Sequence, residues 1–148
     1  MRRMLQEGDL LIYNIFMEKE YDNWNKLKKS IDQKEIGAEF NFHSGDVWWI
    51  ALGVNIGKEI DGKNKTFERP ALVLKVINKH TLYVLPLTSK EHFLDKYHFK
   101  VNYGDGDSGV VVFSQIRVVS SKRLLRKLSR IKKNDLNKIK KLFSELFE

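Results

Sequence analysis

Residues 45–89 constrain the fold more than any other stretch: GDVWWIALGVNIGKEIDGKNKTFERPALVLKVINKHTLYVLPLTS. Three apolar, β-favouring runs (46–52, 71–77 and 81–87) are divided by one long polar loop and one tight turn. In the first run Val47, Trp49 and Ala51 alternate with Trp48, Ile50 and Leu52. Both sets are apolar, so both faces of that strand are expected to be covered. The loop, 53–68, carries glycines at 53, 57 and 62 and ends at Arg69-Pro70. Asn78-Lys79 closes the second and third runs as a hairpin, which ends in Pro86-Leu87-Thr88-Ser89. A mobile polar loop anchored in a sheet, with an arginine and a hydroxyl at the strand ends, is where binding and catalysis concentrate.

The remaining chain is consistent with a small sheet closed by a helix. Residues 97–101, 109–113 and 115–119 read as further strands, with a break near Ser114, and 102–108 (NYGDGDS) as a turn-rich loop. Residues 90–96 suggest a helical turn. Leu136, Ile139, Leu142, Phe143 and Leu146 lie on one helical face, with Asn134 as the expected N-cap and Asp135 near the positive helix end. Periodicity leaves 126–131 open between strand and helix. Several short strands with few helices suggest a mainly β, α+β architecture: a small barrel or strongly curved sheet.

Residues 1–44 differ in character. From Glu18 the chain is charged and helix-favouring, and Tyr21, Trp24, Leu27, Lys28 and Ile31 recur every three or four residues. The stripe is expected to pack on the domain, a partner-binding helix being the alternative. Gly37 to Ser44 reads as a linker. Two units are therefore expected, a helical extension over 1–44 and a β domain over 45–148. Residues 10–16 faintly resemble a signal peptide, but Glu7 and Asp9 intervene and no small-residue cleavage site follows. Met17 is an alternative start. A cytoplasmic protein without a membrane span is expected.

Composition narrows the chemistry. No cysteine is present, which excludes disulfides, thiolate metal sites and a Cys nucleophile. His43, His80, His92 and His98 have no metal-ligand spacing, and neither metal nor cofactor is expected. Lys and Arg number 27 against 19 acidic residues, a net charge of +8, which favours an anionic partner over a merely solvated surface only in combination with other features. One such feature is the stretch from Gly109 to Asn134. It contains Arg117, Lys122, Arg123, Arg126, Lys127, Arg130, Lys132 and Lys133 and no acid, which suits a nucleic-acid backbone or an acidic protein segment. Arg69, held by the following proline, can grip a phosphate bidentately, and Thr88 offers a hydroxyl beside it. Together they can stabilise charge developing on a phosphodiester. Glu59 is a loop acid able to act as base or clamp, and Trp48 and Trp49 can stack on bases, with at least one of them expected in the core.

Six strings in order carry a family resemblance. They are Gly45-Asp46-Val47-Trp48, Leu52-Gly53 with Gly57-x-Glu59, Arg69-Pro70-Ala71-Leu72-Val73, Pro86-Leu87-Thr88-Ser89, Gln115-Ile116-Arg117 and Lys122-Arg123-Leu124. Over residues 44–147 the chain resembles the MazF/PemK toxins of type II toxin–antitoxin systems. The resemblance implies an SH3-like small barrel (PemK/MazF/CcdB-like) with a C-terminal helix, usually a homodimer, and strand rather than helix at 126–131. It implies a metal-independent endoribonuclease that cuts single-stranded RNA at short sequences, leaving 2′,3′-cyclic phosphate and 5′-hydroxyl ends. It assigns catalysis to Arg69 and Thr88, and substrate contacts to Lys58, Glu59, Trp48, Ser89, Gln115 and Arg117. An acidic antitoxin is the implied protein partner, and with it the toxin binds DNA.

The chain also departs from the family pattern. Ile60 stands where glutamine is common after the loop glutamate, the loop before Arg69 is long, and Ser114 stands where many members have an aspartate. Two alternatives follow. One is a catalytically weak RNA- or protein-binding module on the same barrel, and the other is a gyrase-directed toxin of the CcdB type.

Overall fold

The computed structural model describes residues 6–7, 19–91 and 95–148. Helix α1 (Tyr21–Asp32) precedes seven strands: β1 (Asp46–Ala51), β2 (Glu68–Val76), β3 (Thr81–Thr88), β4 (His98–Tyr103), β5 (Asp107–Val112), β6 (Arg117–Ser120) and β7 (Leu124–Arg130). Helix α2 (Lys133–Glu145) closes the chain. Every pairing is antiparallel, in the order β4-β5-β3-β2-β1-β7, with β6 also on β3. Strand β3 is forked. Thr81 to Val84 pair with β6, whereas Leu87 and Thr88 pair with β5. Two register shifts between β1 and β7 add twist at the other edge. The sheet therefore curls into an antiparallel half-barrel flanked by the two helices.

The alternation in β1 divides the core as expected. Trp48, Ile50 and Leu52 join Ala71, Val73, Leu82 and Val84 on one side. Val47 joins Leu72, Leu85, Leu87, Val111 and Phe113 on the other, and α2 covers that side with Leu136, Ile139, Leu142 and Phe143. Helix α1 inserts Trp24 against Ala51 and Phe67, with Leu27 and Ile31 beside it, so its stripe packs on the domain.

Three expectations need correction, and one left open is settled. The stretch to Ser44 is not a free linker, because Phe42 is buried in the first cluster and Phe40 packs edge-on against Trp48 at 5.4 Å. Residues 113–115 form a 3-10 turn rather than strand, which starts β6 at Arg117. Residues 126–131 are mostly strand, as the resemblance implied, because β7 pairs with β1 along its length. Asn134 is not the N-cap of α2. The Ile131 N–H donates to the Gly45 carbonyl, Lys132 takes the N-cap position, and the helix starts two residues early with Asp135 in its first turn. The helical turn expected at 90–96 falls partly on residues 92–94, outside the described residues, as do residues 10–16 and Met17.

A candidate active-site cleft at the end of β2 and β3

Arg69 is the second residue of β2, and Thr88 is the last of β3. Antiparallel pairing of Ala71 with Pro86 brings those two strand ends together. Pairing of Thr88 with Val110 adds the β4–β5 hairpin beside them. The result is a cleft of about 270 Å³, lined by Trp49, Lys63, Glu68, Arg69, Pro70, Thr88, Ser89, Tyr103 and Ser108, at the small end of the range for ligand clefts.

Arg69 is held by backbone, not by an acid. Its Nε donates to the Asp61 carbonyl at 2.8 Å and its Nη1 to the Leu87 carbonyl at 3.2 Å. Among the described residues it forms no ion pair. A guanidinium has five N–H donors, so three stay open for a ligand. Burial, opposed by the nearby Asp61 charge, lowers its pKa below the ordinary arginine value, yet a guanidinium so placed remains a cation. The Thr88 hydroxyl accepts the Lys90 N–H at 3.2 Å, which leaves its own hydrogen available to donate. Ser89 is exposed at the same strand end. Burial, reinforced by Asp107, raises the Tyr103 pKa and keeps that phenol protonated as a donor.

The carboxylate of the cleft is Glu68. Arg126 reaches across β1 and binds it with both nitrogens, at 2.8 and 3.0 Å, while stacking 4.9 Å above the Trp49 ring. The Arg126 hydrogen bonds, working against burial, hold Glu68 below the ordinary carboxylate range. It is thus an anchored anion and a poor base at neutral pH.

The other expected site residues lie elsewhere. Trp48 is 6% exposed and packs under Phe40, with its indole N–H 3.4 Å from Asp46, so it has no face left for a base. Its neighbour Trp49, on the opposite face of the strand, lines the cleft instead. Gln115 clasps the β1–β2 loop from outside the cleft. Its carbonyl oxygen accepts the Ile60 N–H, and its amide nitrogen donates to the Lys58 carbonyl, each at 3.1 Å. Arg117 donates to the Leu52 carbonyl at 3.1 Å, and burial, opposed by Glu59, lowers its pKa. Lys58 and Glu59 are exposed on the loop, where Glu59 caps the Ile56 N–H at 3.0 Å.

Sequence reasoning missed Lys63, Glu68, Tyr103 and Ser108, and read Arg126 only as part of the basic stretch. The Glu68–Arg126 pair depends on the register of two strands flanking β1 and has no local signal. Among the described residues no group of acidic or histidine side chains is arranged to hold a metal ion, and no helix is long and apolar enough to cross a membrane.

The model of the family described as "PemK-like, MazF-like toxin of type II toxin-antitoxin system" matches residues 43–147. MazF from Deinococcus radiodurans (Form-I) has the same fold, with a TM-score of 0.61 at 21% identity, over 74% of this chain and 98% of that one. MazE–MazF (Form-II) from the same organism gives 0.55 at 19% identity, over 74% and 97%. An endoribonuclease in complex with its cognate antitoxin, from a mycobacterial species, gives 0.53 at 15% identity, over 71% and 93%. No curated protein matches the chain in sequence. With the family model spanning most of the half-barrel and its cleft, the chain belongs to the PemK-like, MazF-like toxins of type II toxin–antitoxin systems.

Proposed function

We propose that this toxin is an endoribonuclease that cuts single-stranded RNA in the Arg69–Thr88 cleft. The observation that carries the reading is the convergence there of a charged, carbonyl-held guanidinium and a hydroxyl with a free hydrogen. In the proposed reaction the 2′-oxygen of the substrate loses its proton and attacks the adjacent phosphorus. The bond to the 5′-oxygen breaks, and that oxygen gains a proton. The ends are a 2′,3′-cyclic phosphate and a 5′-hydroxyl. Arg69 faces the charge that builds on the phosphorane, and Thr88 donates to one of its oxygens. Because Arg69 is already fixed by two carbonyls, little reorganisation is needed as that charge develops.

Lys58 and Glu59, exposed on the loop, are the proposed contacts to flanking nucleotides, with Ser89 nearer the scissile bond. Gln115 and Arg117 serve by holding the loop. The exposed cations of β7 supply backbone attraction for RNA or for an acidic antitoxin segment. A homodimer is also proposed, supported by Tyr83 and Val118, which pair across β3 and β6 and stay exposed.

The test is incubation with a long single-stranded RNA and analysis of the ends by mass spectrometry. Cyclic phosphate ends that disappear with Thr88→Val support the reading. Uncut RNA that still binds the protein favours a binding module on the same half-barrel.

A further inference from the structure

We propose that α1 and the two residues before it form a strut that positions Arg69, with Lys19 and Trp24 as the positioning residues. The proposal rests on the reading of Arg69 as the cation of the cleft. It concerns a segment that precedes the domain matched to the family.

Two routes connect the strut to the cleft. The first runs through Asp61. Lys19 Nζ lies 3.0 Å from the Asp61 carboxylate and donates to the carbonyls of Asn55 at 2.7 Å and Gly57 at 3.1 Å. The Tyr21 hydroxyl donates to the same Asn55 carbonyl at 3.1 Å. The other Asp61 carboxylate oxygen accepts the Asn55 N–H, and the Asp61 carbonyl accepts Arg69 Nε at 2.8 Å. Asp61 is thus gripped through its side chain by the strut and grips Arg69 through its backbone.

The second route runs through Phe67, two residues before Arg69. Phe67 has φ +49°, a left-handed conformation that a bulky residue avoids unless packing imposes it. The turn closes through the Phe67 N–H on the Asn64 carbonyl, and Trp24 packs on it, meeting the Phe67 ring edge-on with centroids 5.8 Å apart. Trp24 also lies over Gly53, where an added Cβ would stand 2.2 Å from the indole. The Gly53 N–H donates to the Phe67 carbonyl at 3.1 Å, so the base of the loop closes directly under Trp24.

Apart from the packing of Trp24 on Ala51, these contacts end on the β1–β2 loop. Their effect is to fix one loop shape, the one in which the Asp61 carbonyl meets Arg69. When that shape is only partly populated, the competent fraction falls, and kcat falls with it.

The test uses the full chain labelled with ¹⁵N-arginine, as wild type, Lys19→Gln and Lys19→Arg, with the Arg69 Nε–H resonance assigned by its loss in Arg69→Lys. Lys19→Gln is expected to speed hydrogen exchange at Arg69 Nε–H by about fivefold, the size expected for loss of one part-exposed ion pair. It is expected to lower kcat by a similar factor, with KM and the thermal midpoint little changed. Lys19→Arg restores both. Unchanged exchange at Arg69 in Lys19→Gln overturns the strut, whatever happens to cleavage. A kcat loss that Lys19→Arg fails to restore also overturns it. If the wild type cuts no RNA, the ribonuclease reading fails by itself, and the exchange rates alone decide the strut.

Discussion

At the scale of single residues, the proposed reaction rests most on Arg69. Arg69→Ala is expected to lower cleavage by about 10²–10³-fold, the range for removing a preorganised donor to a developing oxyanion, with far-UV circular dichroism unchanged. Arg69→Lys is expected to recover little. A point-like ammonium cannot hold the Asp61 and Leu87 carbonyls and a phosphate together. The two buried carboxylates, Asp46 and Glu68, are expected to contribute most to acid stability. For buried Asp46, desolvation raises the pKa. The Arg130 hydrogen bond, the His43 N–H, the Trp48 indole and the Lys127 charge together outweigh it, so its pKa is lowered. Glu68 is lowered by Arg126. A depressed folded-state pKa gives stability that is present above the unfolded value near ~4 and lost as pH falls through the folded one. Urea midpoints are therefore expected to hold from about pH 7 to 5 and to drop below about pH 4, and the drop should shrink in Glu68→Gln. Arg69 and Thr88 were legible in the sequence because a proline neighbour and a strand end fix them locally. Trp48 and Trp49 were not separable, since both faces of β1 are apolar and only the packing of Phe40 decides which ring is covered.

Among the elements, α2 and α1 do different things. Helix α2 seals the core beneath β2 and β3, and Ile139 is its fully buried anchor. Ile139→Ala is expected to cost about 2–4 kcal/mol in urea unfolding, as transfer and cavity terms add. Helix α1 buries chiefly Trp24. Trp24→Ala is expected to cost about 3 kcal/mol and to free Phe67 from its left-handed conformation, so cleavage should fall further than stability requires. The periodicity of both helices could be read directly, because an apolar stripe every three to four residues has one physical solution. The N-cap of α2 and the fate of 37–44 could not. The first is set by the Ile131–Gly45 hydrogen bond and the second by a pocket that only the folded sheet provides for Phe42. Periodicity left β7 open between strand and helix because Leu124, Leu125 and Leu128 interleave with cations. Its pairing with β1, and the use of Arg126 on Glu68 and Arg130 on Asp46, override that local pattern.

For the whole molecule, charge and topology act together. The chain carries +8, and its acid-free stretch runs through β6 and β7 into the turn before α2. Binding to single-stranded RNA is expected to weaken steeply with salt, with a log–log slope of roughly −0.7 per phosphate neutralised. The slope should be less steep by about one such step in Lys132→Gln, which removes an exposed cation of that turn, measured by fluorescence anisotropy with a labelled oligonucleotide. Strand β3 is the device that matters most, because its pairing with β2 sets Thr88 against Arg69 and its fork onto β5 brings the β4–β5 hairpin beside them. The most direct measurement is cleavage of a long single-stranded RNA by the purified chain in EDTA, wild type beside Arg69→Ala. Discrete cuts that persist in EDTA and vanish in the variant are the predicted result. Equal cutting by both proteins, or no cutting by the wild type, would contradict the assignment of the cleft as a ribonuclease site built on Arg69.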